Sequence, residues 1–458
     1  MKMNIILYLF TLLFLGCSKG NDPAPVPVTP PAETLPAQYG TPFTNVPGRG
    51  DAIIYQVNTR AFSAGGNFLG VTARLDSIKA LGVNVIYLMP MYPVGVQNAF
   101  NSPYCIKDYT SIGAEFGTLD DLRTLVDGAH SRGMAVIIDW IANHTSWDHP
   151  WITAHRDWYA QNNNGNIISP PGTTWTDVAQ LNYNNTAMRL EMIRSMKYWV
   201  YAANIDGFRC DYADGPPADF WKQAIDSLKK ISTHSLIFLA EGSRTANYIA
   251  GFDYNFGFSF FNQLKSIYAT GSSVQTIDVL NNTDYINADN FQQVVRYTSN
   301  HDVNGSDGTA LDLFGGKKGA MAAFIVAAYM KSIPMIYNGQ EVGMNERIPF
   351  PFTNVKVNWN ADPSTTMEYK KLIAFRNNSS TLRKGLMESY SSNDVCAFTK
   401  SMGSNKVLVL VNMRNTVVNY TVPQLLQGSW KDGFANNNTS LGASVTLQPY
   451  EYKVLVNL

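Results

Sequence analysis

The chain has 458 residues, of which 45% are apolar and 15% charged, enough for one large domain with smaller ones attached. Its 35 basic and 35 acidic side chains cancel, so nothing in the net charge asks for nucleic acid or an anionic membrane as partner.

At the N-terminus, Lys2 precedes an apolar run from Ile5 to Leu15 that ends in Gly16-Cys17. The run is short for a membrane span and suits the apolar region of a signal peptide, residues 1–17. Its last residues, "FLGC", resemble a bacterial lipobox with Phe14 where that motif prefers Leu. The resemblance implies lipidation of Cys17 and a protein lipid-anchored to the cell envelope, on the outer membrane. A plain secretory signal is the alternative. Eight prolines between 23 and 47 make residues 18–48 an extended tether outside any fold. Cys105, Cys210 and Cys396 remain, an odd number without scaffold spacing, so no obligatory disulfide is expected.

From residue 52, short apolar runs alternate with helical stretches. The runs are "AIIYQVN" (52–58), "VNVIYLMPM" (83–91), "MAVIIDWIANH" (134–144) and "IDGFRCDYA" (205–213). They continue with "LIFLAEG" (236–242), "FDYNFGFSF" (252–260), "QVVRYTSNHD" (293–302) and "SIPMIYNGQ" (332–340). Between the third and fourth runs, Ile193, Met196, Val200 and Ala203 fall on one helical face. Eight buried strands with helices between them predict an α/β fold, a (β/α)8 TIM barrel over residues 49–386. Residues 145–185, rich in Trp, Asn, Gly and Pro, predict a small excursion over the barrel mouth after strand 3. A last helix is expected near 364–384. Alternating runs such as "NKVLVLVNM" then predict a C-terminal antiparallel β-sandwich, residues 387–458.

In such barrels the reactive residues sit at the C-terminal strand ends. There the chain places Asp139, Asn143 and His144, then Arg209 and Asp211, then Glu241, then His301 and Asp302. A single acid would read as a cap, but three at different strand ends converge on one mouth. Two facing carboxyl groups are what glycoside cleavage needs, one to attack the anomeric carbon and one to protonate the leaving oxygen. Arg209 shares a strand face with Asp211 and would keep it ionised. The apolar "LIFLA" before Glu241 would favour its protonated form. The 24 tyrosines, 23 phenylalanines and 9 tryptophans also suit sugar rings, although most must be core.

The motifs resemble those of the α-amylase family, glycoside hydrolase family 13, over residues 51–458. "DWIANH", "GFRCDYA", "FLAEG" and "TSNHD" resemble its four main motifs in order and spacing, and "SPYCIKDY" and "SIPMIYNGQE" two supporting ones. The resemblance implies Asp211 as nucleophile, Glu241 as general acid/base and Asp302 as transition-state stabiliser. Tyr104, Asp139, His144, Arg209 and His301 would bind the substrate. The implied activity is retaining cleavage of α-1,4 bonds in starch-like glucans. Alternatives are an exo-acting α-glucosidase or a transglycosylase of the same family, or a non-catalytic glycan-binding protein. Where many relatives carry Lys-His after the second motif, this chain has Asp214-Gly215, and Gln180 replaces a calcium-linked Asp. No cofactor is therefore required, and Asn143 alone speaks for calcium. Exo-acting members usually follow the stacking Tyr with Asp; here Cys105 follows Tyr104, which predicts an open subsite and endo-cleavage.

Overall fold

The computed structural model describes residues 35–457; Cys17 and the first part of the tether lie outside them. Eight strands form: β1 (Ile54–Val57), β2 (Val85–Leu88), β3 (Ala135–Trp140) and β4 (Gly207–Cys210), then β5 (Ile237–Ala240), β6 (Tyr254–Phe256), β7 (Gln293–Tyr297) and β8 (Ile333–Tyr337). All pair in parallel, each with its neighbours in chain order, and β8 returns to β1 to close the barrel. Nearly every strand residue is buried, because helices cover the outside and side chains fill the inside. This two-sided burial is why the strands read as continuous apolar runs. The sixth run overshoots: β6 ends at Phe256, and the apolar residues after it open the helix Phe258–Thr270. The expected last helix is two, Pro363–Asn378 and Ser380–Lys384, because Ser379 turns out of the first and its side chain caps the second.

The excursion leaves β3 at His144 as a two-strand ribbon, in which His144–Ser146 pairs antiparallel with Val178–Gln180. After the barrel come β9 (Leu386–Ser389), β10 (Val395–Met402), β11 (Asn405–Asn412), β12 (Val418–Thr421), β13 (Gly428–Asp432), β14 (Asn438–Leu441), β15 (Ser444–Leu447) and β16 (Tyr452–Val456). Six form one sheet in the order β9-β10-β11-β16-β13-β14, and β12 with β15 forms a second. Alternation along β10 and β11 buries both faces. Val395, Ala397, Leu408 and Leu410 join a core with Tyr420 and Leu447 of the small sheet, while Cys396, Phe398, Val407 and Val409 join the barrel's core.

One expectation fails here. The tether does not extend to residue 48, because residues 38–46 dock on the barrel. Phe43 is buried and stacks on His130 with ring centroids 4.4 Å apart. The Tyr39 amide donates to the Tyr201 carbonyl (2.7 Å) and its hydroxyl to Asp127 (2.7 Å). Proline content marked the segment as unfolded, but its scattered aromatic residues anchor it.

Candidate active site

The site is built around Arg209, which points into the barrel from β4 and has no solvent exposure. Its register partner across the ladder on β3 is Asp139. Arg209 Nη1 donates to Asp139 Oδ1 (2.6 Å) and to Asp211 Oδ1 (2.9 Å), and Nη2 lies 2.5 Å from Glu241 Oε1. One guanidinium therefore gathers three carboxylates from three consecutive strands. Asp211 and Glu241 directly follow β4 and β5, and their amides still join the ladder, to the Trp140 and Cys210 carbonyls (both 2.9 Å). Tyr212 then turns with φ +42°, a left-handed conformation costly for a tyrosine, and its amide donates to Glu241 Oε2 (2.8 Å).

Two expectations change at this point. Glu241 does not sit in an apolar pocket; its carboxylate faces Arg209 and the Tyr212 amide. Nor does Arg209 dominate Asp211. Burial, then the charge of Glu241, push the Asp211 carboxyl well above the usual range against the pull of Arg209. Burial likewise pushes Asp139 up to about 6, with Arg209 opposing. Three carboxyls around one cation cannot all ionise cheaply when desolvated.

Asp139 and Arg209 also stand differently from expectation as substrate ligands. Both are completely buried and have no surface on the cleft. They form its floor: Tyr87 and Tyr104 donate their hydroxyls to Asp139 Oδ2 (2.6 and 3.3 Å). Tyr104 and His301 do reach the cleft. Their rings stack at 5.5 Å, Tyr104 Oη lies 2.7 Å from His301 Nε2, and Gln56 Nε2 lies 2.8 Å from His301 Nδ1. Burial, then the charge of Arg209, hold His301 down to about 3, so the ring is neutral at ordinary pH. Asp302 follows on the first turn of the helix His301–Ser306, with its side chain 58% exposed to the cleft. His144 also lines the cleft and is held down to about 4 by burial.

The cleft has a volume of about 640 Å³. Besides the expected residues it is walled by aromatic rings that the sequence reading did not single out: Trp175 and Tyr212, packed edge-on at 5.0 Å, and Phe100, Phe258, Phe350 and Phe352. It also includes Asp177, 8% exposed and raised by burial, whose carboxylate meets its own backbone amide and, among the described residues, no side-chain donor. The buried Cys105 thiol donates to the Asp177 carbonyl (3.2 Å). The "PFPF" of residues 349–352 and the "TTWTD" of 173–177 were the available signals.

Calcium does not fit the position at which the resemblance would allow it. Asn143 Nδ2 donates to Gln180 Oε1 (3.1 Å) and Gln180 Nε2 to Asn143 Oδ1 (3.3 Å), so two neutral amides satisfy each other. Among the described residues no group of three or more His, Cys, Asp or Glu side chains is placed to hold a metal.

The comparisons agree with this geometry. Residues 38–350 match the family model "Alpha amylase, catalytic domain". The chain is 28% identical over 406 residues to "Alpha-amylase 2" of Dictyoglomus thermophilum, covering 81% of this chain and 68% of that one. It is 35% identical over 201 residues to an "Oligo-1,6-glucosidase" of Bacillus sp. strain F5, covering 35% and 38%. The crystal structure of an alpha-amylase from Lactobacillus plantarum superposes with a TM-score of 0.80 at 26% identity, covering 90% of this chain and 99% of that one. With this barrel, this ring of acids and this match, the chain belongs to the α-amylase family of glycoside hydrolases.

Proposed function

We propose that the protein is an endo-acting hydrolase of α-1,4 bonds in starch-like glucans. The observation that carries this reading is the pair of carboxyls held by the two Nη atoms of one guanidinium, at the floor of an aromatic-walled cleft. Retention of configuration calls for two carboxyls about 5 Å apart, and acids that share one Arg are close neighbours of this kind. Asp211 attacks the anomeric carbon as the glycosidic C–O bond breaks, while Glu241 gives its proton to the leaving oxygen. A covalent glycosyl-enzyme results, and water, deprotonated by Glu241, then displaces Asp211. The buried cluster of acids stores the proton that the first step consumes. Asp302, exposed to the cleft, faces the positive charge that develops on the sugar. Asp139 and Arg209 are positioning residues beneath it.

The cleft's volume of about 640 Å³ and its exposed aromatic residues, Phe100 (60%) and Phe350 (52%), favour a chain that runs through the site. A second, exo-acting reading has one observation in its favour: Asp177 brings to the wall a carboxylate free of ion pairs among the described residues and able to grip a terminal sugar. A time course on amylose tests both. Mixed short maltooligosaccharides with a rapid fall in viscosity are expected; glucose as the sole early product would replace the proposal with the exo reading. We further propose that Cys17 anchors the enzyme by lipid to the bacterial outer membrane, on the strength of the "FLGC" run. Cys17→Ala should move activity from membrane to soluble fractions, and unchanged membrane association would refute the anchor.

A further inference from the structure

At the other end of the barrel, beside the residues that lead into β1, β7 and β8, lies a groove of about 1110 Å³ roofed by β9 and β10. Lys400 of β10 lines it and is 2% exposed. Its ammonium makes no hydrogen bond or ion pair among the described residues, and burying an ammonium without a partner is costly. The other charges of the groove do not serve it. Asp51 is taken by Arg383 (2.7 Å) and Lys384 (2.8 Å), and Asp289 faces Arg49 (3.4 Å). Asp278 accepts from Ser391 Oγ (3.2 Å). Among the described residues Lys331 reaches the Asn281 carbonyl (3.5 Å) and the Tyr285 ring (3.9 Å to its centroid) and no carboxylate.

A neutral donor stands beside these two lysines. Arg296 Nη1 donates to Asn281 Oδ1 (2.9 Å), which fixes the orientation of the amide and leaves Asn281 Nδ2 buried without an acceptor. Cationic side chains outnumber carboxylates along the lining, although Asp278 meets serine hydroxyls and keeps its charge in the groove. A ligand that completes the set brings oxygens and about two negative charges.

We propose that the groove binds a phosphate dianion, with Lys400 and Lys331 as its charge partners and Asn281 Nδ2 as a hydrogen-bond donor. This chemistry comes from free phosphate or from a phosphate monoester on a sugar. Phe291, 69% exposed on the same wall, offers a face to a sugar ring. The site is remote from the catalytic cleft, so it stands or falls separately from the hydrolytic reading. Burial, then the cations Arg376, Lys331 and Arg296, push the Lys400 amine down to about 7.

Calorimetric titration of the full chain with inorganic phosphate, glucose 6-phosphate and glucose tests this. Both phosphates should bind saturably and glucose should not. Tighter binding of glucose 6-phosphate assigns the site to a sugar phosphate; equal affinities assign it to free phosphate. Lys400→Met should weaken binding at least about tenfold, as expected for a charge-assisted contact. Lys331→Met should weaken it too, and Lys384→Met, whose ammonium already serves Asp51, should not. Amylose hydrolysis should continue in all three variants. Should Lys400→Met fail to fold, Lys331→Met and protection of the Lys400 amine from acetylation by phosphate, read by mass spectrometry, take its place. Absence of saturable phosphate binding, or binding undiminished in both variants, overturns the proposal.

Discussion

A guanidinium that contacts three carboxylates does more than pair charge. It fixes the spacing of Asp211 and Glu241 to the geometry of a rigid plane, so neither acid needs a rotamer search before reaction. Asp211→Asn keeps shape but removes the nucleophile, and kcat should fall by at least about 10³. The protein should remain folded, with an unchanged Tm to within a few degrees. Retention of a tenth of the activity would remove Asp211 from that role. Glu241→Gln keeps the Tyr212 amide contact and loses the transferable proton. Starch hydrolysis should collapse while aryl glycosides with acidic phenol leaving groups are cleaved to the glycosyl-enzyme. Equal damage to both substrate types would show that Glu241 is not the acid.

At the scale of elements, the barrel strands were legible because two-sided burial leaves continuous apolar runs, and Asp211 and Glu241 were legible because each directly follows such a run. Where an apolar run crosses a boundary, as from Phe256 into Phe258–Phe260, periodicity gives no warning. Cleft walls such as Trp175, Asp177 and Phe352 come from long loops without a repeat, and only tertiary structure brings them to Asp211. Gln56 and Tyr87 hold the floor from inside β1 and β2, where they read as ordinary strand residues. The excursion supplies a test of its own. Its tie to β3 is the reciprocal Asn143–Gln180 pair together with the Leu181 amide on the Asn143 carbonyl (3.2 Å). Chelation should therefore leave activity and Tm unchanged. Gln180→Asp removes a donor and sets a carboxylate against Asn143 Oδ1, and should cost about 1–3 kcal/mol. Loss of half the activity in EDTA by the unaltered protein would show that a metal does hold the loop.

Over the whole molecule, buried bases and buried acids give stability opposite slopes in the same pH range. Burial holds His149 down to about 4, and it pushes Glu341 up to about 7. His149 keeps its ring neutral in the folded state, where Nδ1 accepts the Trp151 amide (3.1 Å). The unfolded chain takes a proton there near 6.5, so this contribution is present above 6.5 and is lost as pH falls through about 4. Glu341 is reached by the Tyr55 hydroxyl and, at Oε2, by the Gly339 amide (2.8 Å), yet desolvation dominates and favours its neutral form. The folded state then binds a proton that the unfolded chain releases near 4.5. Its contribution is present below 4.5 and is lost as pH rises through about 7. Both groups lie outside the ring of acids on Arg209, so substitution at either leaves that titration in place. Thermal unfolding across this range should give two difference curves of opposite sign of slope. His149→Asn should gain on the parent as pH falls, and Glu341→Gln should gain on it as pH rises, whatever constant penalty each carries for altered hydrogen bonds. Parallel curves for the two variants would show that neither group titrates against its burial.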